Sequence, residues 1–191
     1  MPAADEWNLI RRRYRDVFGA TLAPSFASYM HRGCNNEHGA ALGYKRAGSE
    51  ALFLEAYLDE PIEEIVSRIV GKTIARDRIV EIGNFAADNV MAMVSLWGAA
   101  ANDLAGLSEY AVATLTLPLR KMFARIGVPV IPVAPALAGR LPHGDSDWGS
   151  YYQLDPWVCT GNIAEGQNAL TAFLQRRQRE AAAWAGFPPP C

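Results

Sequence analysis

The sequence predicts one mixed α/β (α+β) domain with a mixed central sheet and flanking helices. Three observations lead there. Short apolar runs of strand length alternate with longer runs whose apolar residues recur at helical spacing. Glycine or proline marks nearly every junction between them. No internal repeat and no linker interrupts the 191 residues, enough for one sizeable core.

The elements follow in order. Residues 6–18 read as an amphipathic helix: Trp7, Leu9, Ile10, Tyr14, Val17 and Phe18 recur at helical spacing, and Gly19 ends it. Residues 26–30 and 40–46 read as strands joined by a turn over 33–39, a hairpin. Residues 52–58 are apolar, with Glu55 inside them. A helix over 60–70 has Pro61 in its first turn, carboxylates nearby and Gly71 after it. Residues 79–82 read as a buried strand that breaks at Gly83–Asn84, and a helix runs from 88 to about 101. Residues 110–114 read as a strand, 118–126 as a helix stopped by Gly127, and 128–133 as a strand. Residues 135–150 are loop-rich, 151–158 extended, and 163–184 the closing helix. That makes six or seven strands interleaved with helices, in a domain over 1–185 with a frayed tail at 186–191.

Composition narrows the functional classes. Half the residues are hydrophobic and 20% are charged, as in ordinary soluble proteins. A net charge of −2 offers no footprint for nucleic acid, and the basic clusters at 11–15 and 176–179 read as solvated helix faces. No apolar run is long enough to span a membrane, and the N-terminus has no signal-peptide core. Cys34, Cys159 and Cys191 have no metal-ligand spacing and form no even disulfide framework. No metal is expected, and a cytoplasmic location with reduced thiols is. Cys191 lacks the three following residues that prenylation requires.

The strand over 79–82 is the most informative segment. It carries Glu81 among apolar neighbours, which is costly unless the carboxylate is paired, hydrogen-bonded or used. Two roles are open for it: a base with a raised pKa, or an ion-pair partner for an arginine. Asn84 at the break either binds a carbonyl or takes up a turn conformation. A strand ending in small residues before a helix frees backbone N–H groups for a phosphate or carbonyl oxygen. Trp148, Tyr151 and Tyr152 form an aromatic cluster, either core or, for a tyrosine, a proton donor to a leaving thiolate. Met91, Met93 and Trp97 either line an acyl tunnel or pack in the core. His31, His38 and His143 share no spacing and read as surface histidines.

The order of elements resembles the Gcn5-related N-acetyltransferase (GNAT) fold. Residues 41–47 (ALGYKRA), 52–59 (LFLEAYLD), 80–86 (VEIGNFA), 119–127 (LRKMFARIG) and 148–152 (WGSYY), with Pro156, Val158 and Gly161, resemble the thermostable hemolysin family more narrowly. The fold is also similar to acyl-homoserine lactone synthases.

The resemblance implies an N-acyltransferase. It would move a fatty acyl group from a pantetheine thioester, acyl-CoA or an acyl-phosphopantetheine carrier protein, to a small amine such as an amino acid. Glu81, Asn84, Tyr151 and Tyr152 would be catalytic. Phe85, Ala86, Ala87, Asn89, Val90 and Arg120 would hold the donor, and Glu55, Tyr57 and Trp148 the acceptor. The chain departs from the GNAT pyrophosphate turn, Gln/Arg-x-x-Gly-x-Gly/Ala: residues 88–93 read DNVMAM, without glycine and with Asp88 beside the expected phosphate. It departs again at 115–118 (LTLP), where a basic residue is expected. These departures favour a carrier-protein donor, with one phosphate, over coenzyme A. The alternatives are a non-catalytic, membrane-associating lysin and a binding subunit that has lost the phosphate site.

Overall fold

The structure is a computed structural model that describes residues 4–23, 25–33, 39–48, 50–141 and 147–185. Among the described residues, five α-helices accompany six strands. Helix α1 (Ala4–Phe18) precedes the hairpin β1 (Ser28–Arg32) and β2 (Ala40–Arg46). Helix α2 (Ile62–Val70), β3 (Ile79–Ala87), α3 (Val90–Leu104) and β4 (Tyr110–Leu115) follow. Helix α4 (Leu117–Ile126), β5 (Ile131–Pro135), β6 (Trp157–Asn162) and α5 (Ile163–Ala185) complete the chain. The sheet order is β1-β2-β3-β4-β6-β5. Among the described residues only β3 and β4 run parallel, and every other neighbouring pair is antiparallel.

Two layers cover the sheet. Helices α3 and α5 bury Leu42, Val80, Val94, Leu96, Trp97 and Leu170 against one face. On the other, α1 contributes Ile10 and Tyr14, and α2 contributes Ile62 and Val66. Glycines end α2 and α4 because the last turn needs a left-handed residue: Gly71 has φ 71° and Gly127 φ 91°.

Four of the departures from expectation have a clear local reason. The first strand begins at Ser28, not 26, because Phe26 leaves the strand path and lays its ring over two facing glycines. A Cβ on Gly43 would come within 2.8 Å of that ring, and one on Gly83 within 2.6 Å. The strand of Glu81 does not end at Gly83; it continues to Ala87 through a bulge. The fifth strand starts at Ile131 rather than 128, and its prolines 132 and 135 are tolerated because it is a sheet edge. Residues 151–154 form a 3-10 turn instead of extended chain, reversed by Asp155 at φ 48° before β6 begins. Residues 53–57 form another 3-10 turn, under the sheet beside Glu81. The expected turn over 33–39, with Cys34 and His38, lies mostly outside the described residues, as do His143, Cys191 and the tail.

Candidate active site

The central strands part company. Strand β3 pairs with β4 at Ile79–Tyr110, Val80–Ala111 and Glu81–Val112, and no pair follows. Strand β4 continues to Leu115 along β6, and β3 continues to Ala87 along β2. Beyond Glu81, the side of β3 that faced β4 therefore has no ladder partner. The bulge shapes this opening. Ala41 pairs with Ala86 and Gly43 with Gly83, so Asn84 and Phe85 together span the single Leu42. Asn84 takes φ 52°, and its side chain, 6% exposed, donates to Ser25 Oγ and Tyr29 Oη at 3.4 Å each.

Two cavities lie against this opening, on opposite faces of the sheet, and Ile82 lines both. The first, about 110 Å³, is apolar and sits between β3, β4 and β6 and helices α3, α4 and α5. Phe85, Ala113 and Cys159 form part of its sheet wall, and Trp97 and Phe123, stacked at 4.0 Å, part of its helix wall. Burial pushes the Cys159 thiol up to about 12, so it is a neutral, apolar wall atom. The second, about 30 Å³, is lined by Glu81, Asn84, Thr114, Phe53, Tyr57 and Trp148 among others.

Glu81 is 3% exposed. The Phe53 N–H donates to its Oε2 (2.8 Å) and the Leu54 N–H to its Oε1 (3.0 Å). Burial raises its pKa to about 7, against the lowering effect of those two amides and of Lys45. Among the described residues no arginine pairs with it, so the ion-pair role expected as its alternative is not the one the fold provides. The arginine bonds go to Glu55. Arg76 donates to both its oxygens (2.7 and 2.8 Å) and reaches Glu63 (2.6 Å), while the Leu52 and Ile62 amides also donate to Glu55. Arg76 holds Glu55 down to about 2. Glu55 is thus a tie between the 3-10 turn and its surroundings.

The tyrosines divide. Tyr151 is buried against Tyr14, Phe18 and Trp148 and donates to the Thr114 carbonyl at 3.3 Å. Tyr57 and Tyr152 share a hydrogen bond of 2.7 Å. Burial raises the pKa of both Tyr57 and Tyr151. Trp148 lies over Phe53 and Tyr151.

The residues expected to hold the donor are spread along the opening and beyond it. Phe85 and Ala87 face α3, whereas Ala86 faces α1. Asn89 caps α3, its Oδ1 accepting from the Ala92 N–H at 2.8 Å, and Val90 is exposed. Arg120 points elsewhere: it is bonded to the Asp155 carboxylate (2.5 Å) and carbonyl (2.8 Å) and holds that turn in place. Asp88 is not a bare charge, since Arg12 donates to it at 2.7 Å and the Gly39 N–H at 3.0 Å. Thr114, Phe26 and Phe123 are wall residues that sequence reading did not single out. The alternation of Val112 and Thr114 was the available signal for the first.

A mixed sheet split between two parallel central strands, with helices on both faces, defines a GNAT-like fold. The sequence profile described as thermostable hemolysin matches residues 3–167, so the chain belongs to the thermostable hemolysin family. Solved structures agree on the fold. FeeM, an N-acyl amino acid synthase from uncultured soil microbes, is similar with a TM-score of 0.53 at 16% identity, over 87% of this chain and 96% of that one. TofI in an apo form has a TM-score of 0.51 at 18% identity, over 90% and 91%. BjaI, a CoA-dependent acyl-homoserine lactone synthase with SAM and isopentyl-CoA, has a TM-score of 0.51 at 14% identity, over 90% and 80%. No curated protein matches the chain in sequence.

Proposed function

We infer that the chain is an N-acyltransferase using a pantetheine thioester. One observation carries the reading. The two cavities meet the sheet where β3 and β4 part: one is apolar, and the other holds a buried carboxylate with a pKa near that of a general base. The acyl chain lies in the apolar cavity. The thioester carbonyl sits in the opening, and the pantetheine arm bonds to the unpaired edge of β3. The amine enters from the Glu81 side. Glu81 takes a proton from the amine as its nitrogen attacks the carbonyl carbon. The C–N bond forms, the C–S bond breaks, and the thiolate leaves. Unpaired β3 amides are suited to hold the carbonyl oxygen as charge develops on it. FeeM and BjaI, named for acyl transfer, have the same fold and support this reading.

The test is thiol release from a panel of acyl-CoA, acyl-pantetheine and acyl-carrier-protein thioesters with small amines. Amine-dependent release is expected. No release from any pair would overturn the reading.

A further inference from the structure

The acceptor cavity has no described cationic group in its lining to complement a carboxylate. Every lysine and arginine of the chain lies among the described residues, and none lines this cavity. Two side chains with opposite fields reach Glu81. Lys45, opposite it on β2, lowers its pKa but is tied to Glu50 at 2.9 Å and to the Ala51 carbonyl. Glu55 raises it. Arg140 reaches the Tyr57 carbonyl at 3.4 Å but is paired with Asp59. Three polar side chains of the cavity are committed as well. Asn84 donates to Ser25 and Tyr29, Tyr151 to the Thr114 carbonyl, and Tyr57 is bonded to Tyr152.

Two acceptors with free lone pairs stand on one face of the cavity. A carboxylate has about four lone-pair sites, and the two amides on Glu81 use two of them. Thr114 Oγ1 is buried and, among the described residues, makes no hydrogen bond. Its residue lies two past Val112, the pairing partner of Glu81, and so on the same face of β4. The rest of the wall is aromatic, with Phe53, Tyr57 and Trp148 presenting rings. Rings and buried acceptors favour an ammonium and repel an anion.

We propose that the acceptor is a primary amine without a carboxylate, its nitrogen held between Glu81 and Thr114 Oγ1 and its carbons against the aromatic wall. This rests on the acyltransferase reading but narrows it: an α-amino acid, with a carboxylate on the carbon beside its nitrogen, is excluded by the like charge of Glu81.

Matched pairs differing only in the carboxylate test this: phenethylamine against phenylalanine, and ethanolamine against serine. Binding is measured first by calorimetry, with no thioester present, and then by thiol release with the best donor. The amine of each pair is expected to bind at least ten-fold tighter and to be acylated with at least ten-fold higher kcat/KM. Thr114→Val should weaken amine binding several-fold, and Glu81→Gln should bring the amine-to-amino-acid ratio towards one. Equal or better binding of the amino acids overturns the proposal, as does failure of both members of each pair to bind. Tight amine binding without thiol release from any donor would uphold the acceptor class and overturn the transferase reading.

Discussion

At Glu81 the decisive quantity is which state, folded or unfolded, holds the proton more tightly. Burial raises its pKa from an ordinary 4.5 to about 7, so the folded state binds the proton better than the unfolded chain does. Its contribution to stability is therefore full below about pH 4.5 and is lost as pH rises to about 7. Glu81→Gln removes that dependence. The melting temperature of the variant relative to wild type should climb between pH 5 and 7 and level off above, as thermal scans across pH would record. Activity runs the other way. The base form gains with pH through about 7, and Glu81→Gln should lower amine-dependent thiol release by about 10²-fold or more while the protein stays folded. Unchanged release in a well-folded variant would remove Glu81 from the chemistry.

Glu55, only four residues before Asp59 and close to Glu81 in space, titrates oppositely. Held at about 2 by Arg76, it stabilises the fold above its ordinary 4.5, and that stability is lost as pH falls towards 2. Breaking a buried pair costs about 3–5 kcal/mol, and the partial exposure of these side chains brings the expected cost of Arg76→Met to about 2 kcal/mol at pH 7. Urea denaturation should show this cost shrinking below pH 4.

At the scale of elements, Phe26 and the glycine pair form one packing unit. Gly83→Ala places a methyl group 2.6 Å from the Phe26 ring and should cost about 1–3 kcal/mol. Phe26→Ala should relieve most of that cost in the double variant, a coupling that a double-mutant cycle in urea would measure. The apolar cavity is tunable in the same way. Ala113→Leu narrows its sheet wall and should shift thiol release towards shorter acyl chains, with little change in melting temperature.

Helices and strands with a clear period were legible in the sequence: β2 is found over the expected residues, and α1, α2, α4 and α5 lie within two residues of expectation at each end. What the period does not encode was missed. A bulge leaves no periodic trace, so Gly83–Asn84 read as an end instead of an extra residue. The 3-10 turn at 151–154 read as the start of an extended run over 151–158, because tyrosines suit a strand as well. Glu81 stood out as a buried charge. Its partners could not, because backbone amides from a segment 27 and 28 residues away have no side-chain signature.

At the scale of the whole molecule, the arrangement of charge bears on the donor. Arg12 on α1 bonds to Asp88 just after β3, so the charge expected to repel a diphosphate is already met. Arg12→Ala exposes it. The KM for acyl-CoA should then rise several-fold more than the KM for acyl-pantetheine, which lacks the nucleotide phosphates. Equal effects on both would place coenzyme A's nucleotide away from Asp88. Among the described residues no helix is long and apolar enough to cross a membrane. If lysis nonetheless belongs to this chain, dye leakage from liposomes should rise with dose and be the same in wild type and Glu81→Gln. Leakage that tracks thiol release would instead tie it to the acyl product.

The bulge at Asn84 also has an arithmetic consequence. A strand counts in twos, and Asn84 is its odd residue. Without it, Phe85 and Ala87 would still point towards α3 and Ala86 towards α1, since the remaining residues would simply resume the regular alternation. The core would be unchanged in content, and β3 would be straight enough to zip onward along β4. The difference between a slotted sheet and a sealed one is thus a single codon, and an in-frame deletion would close the opening without moving any downstream side chain to the wrong face.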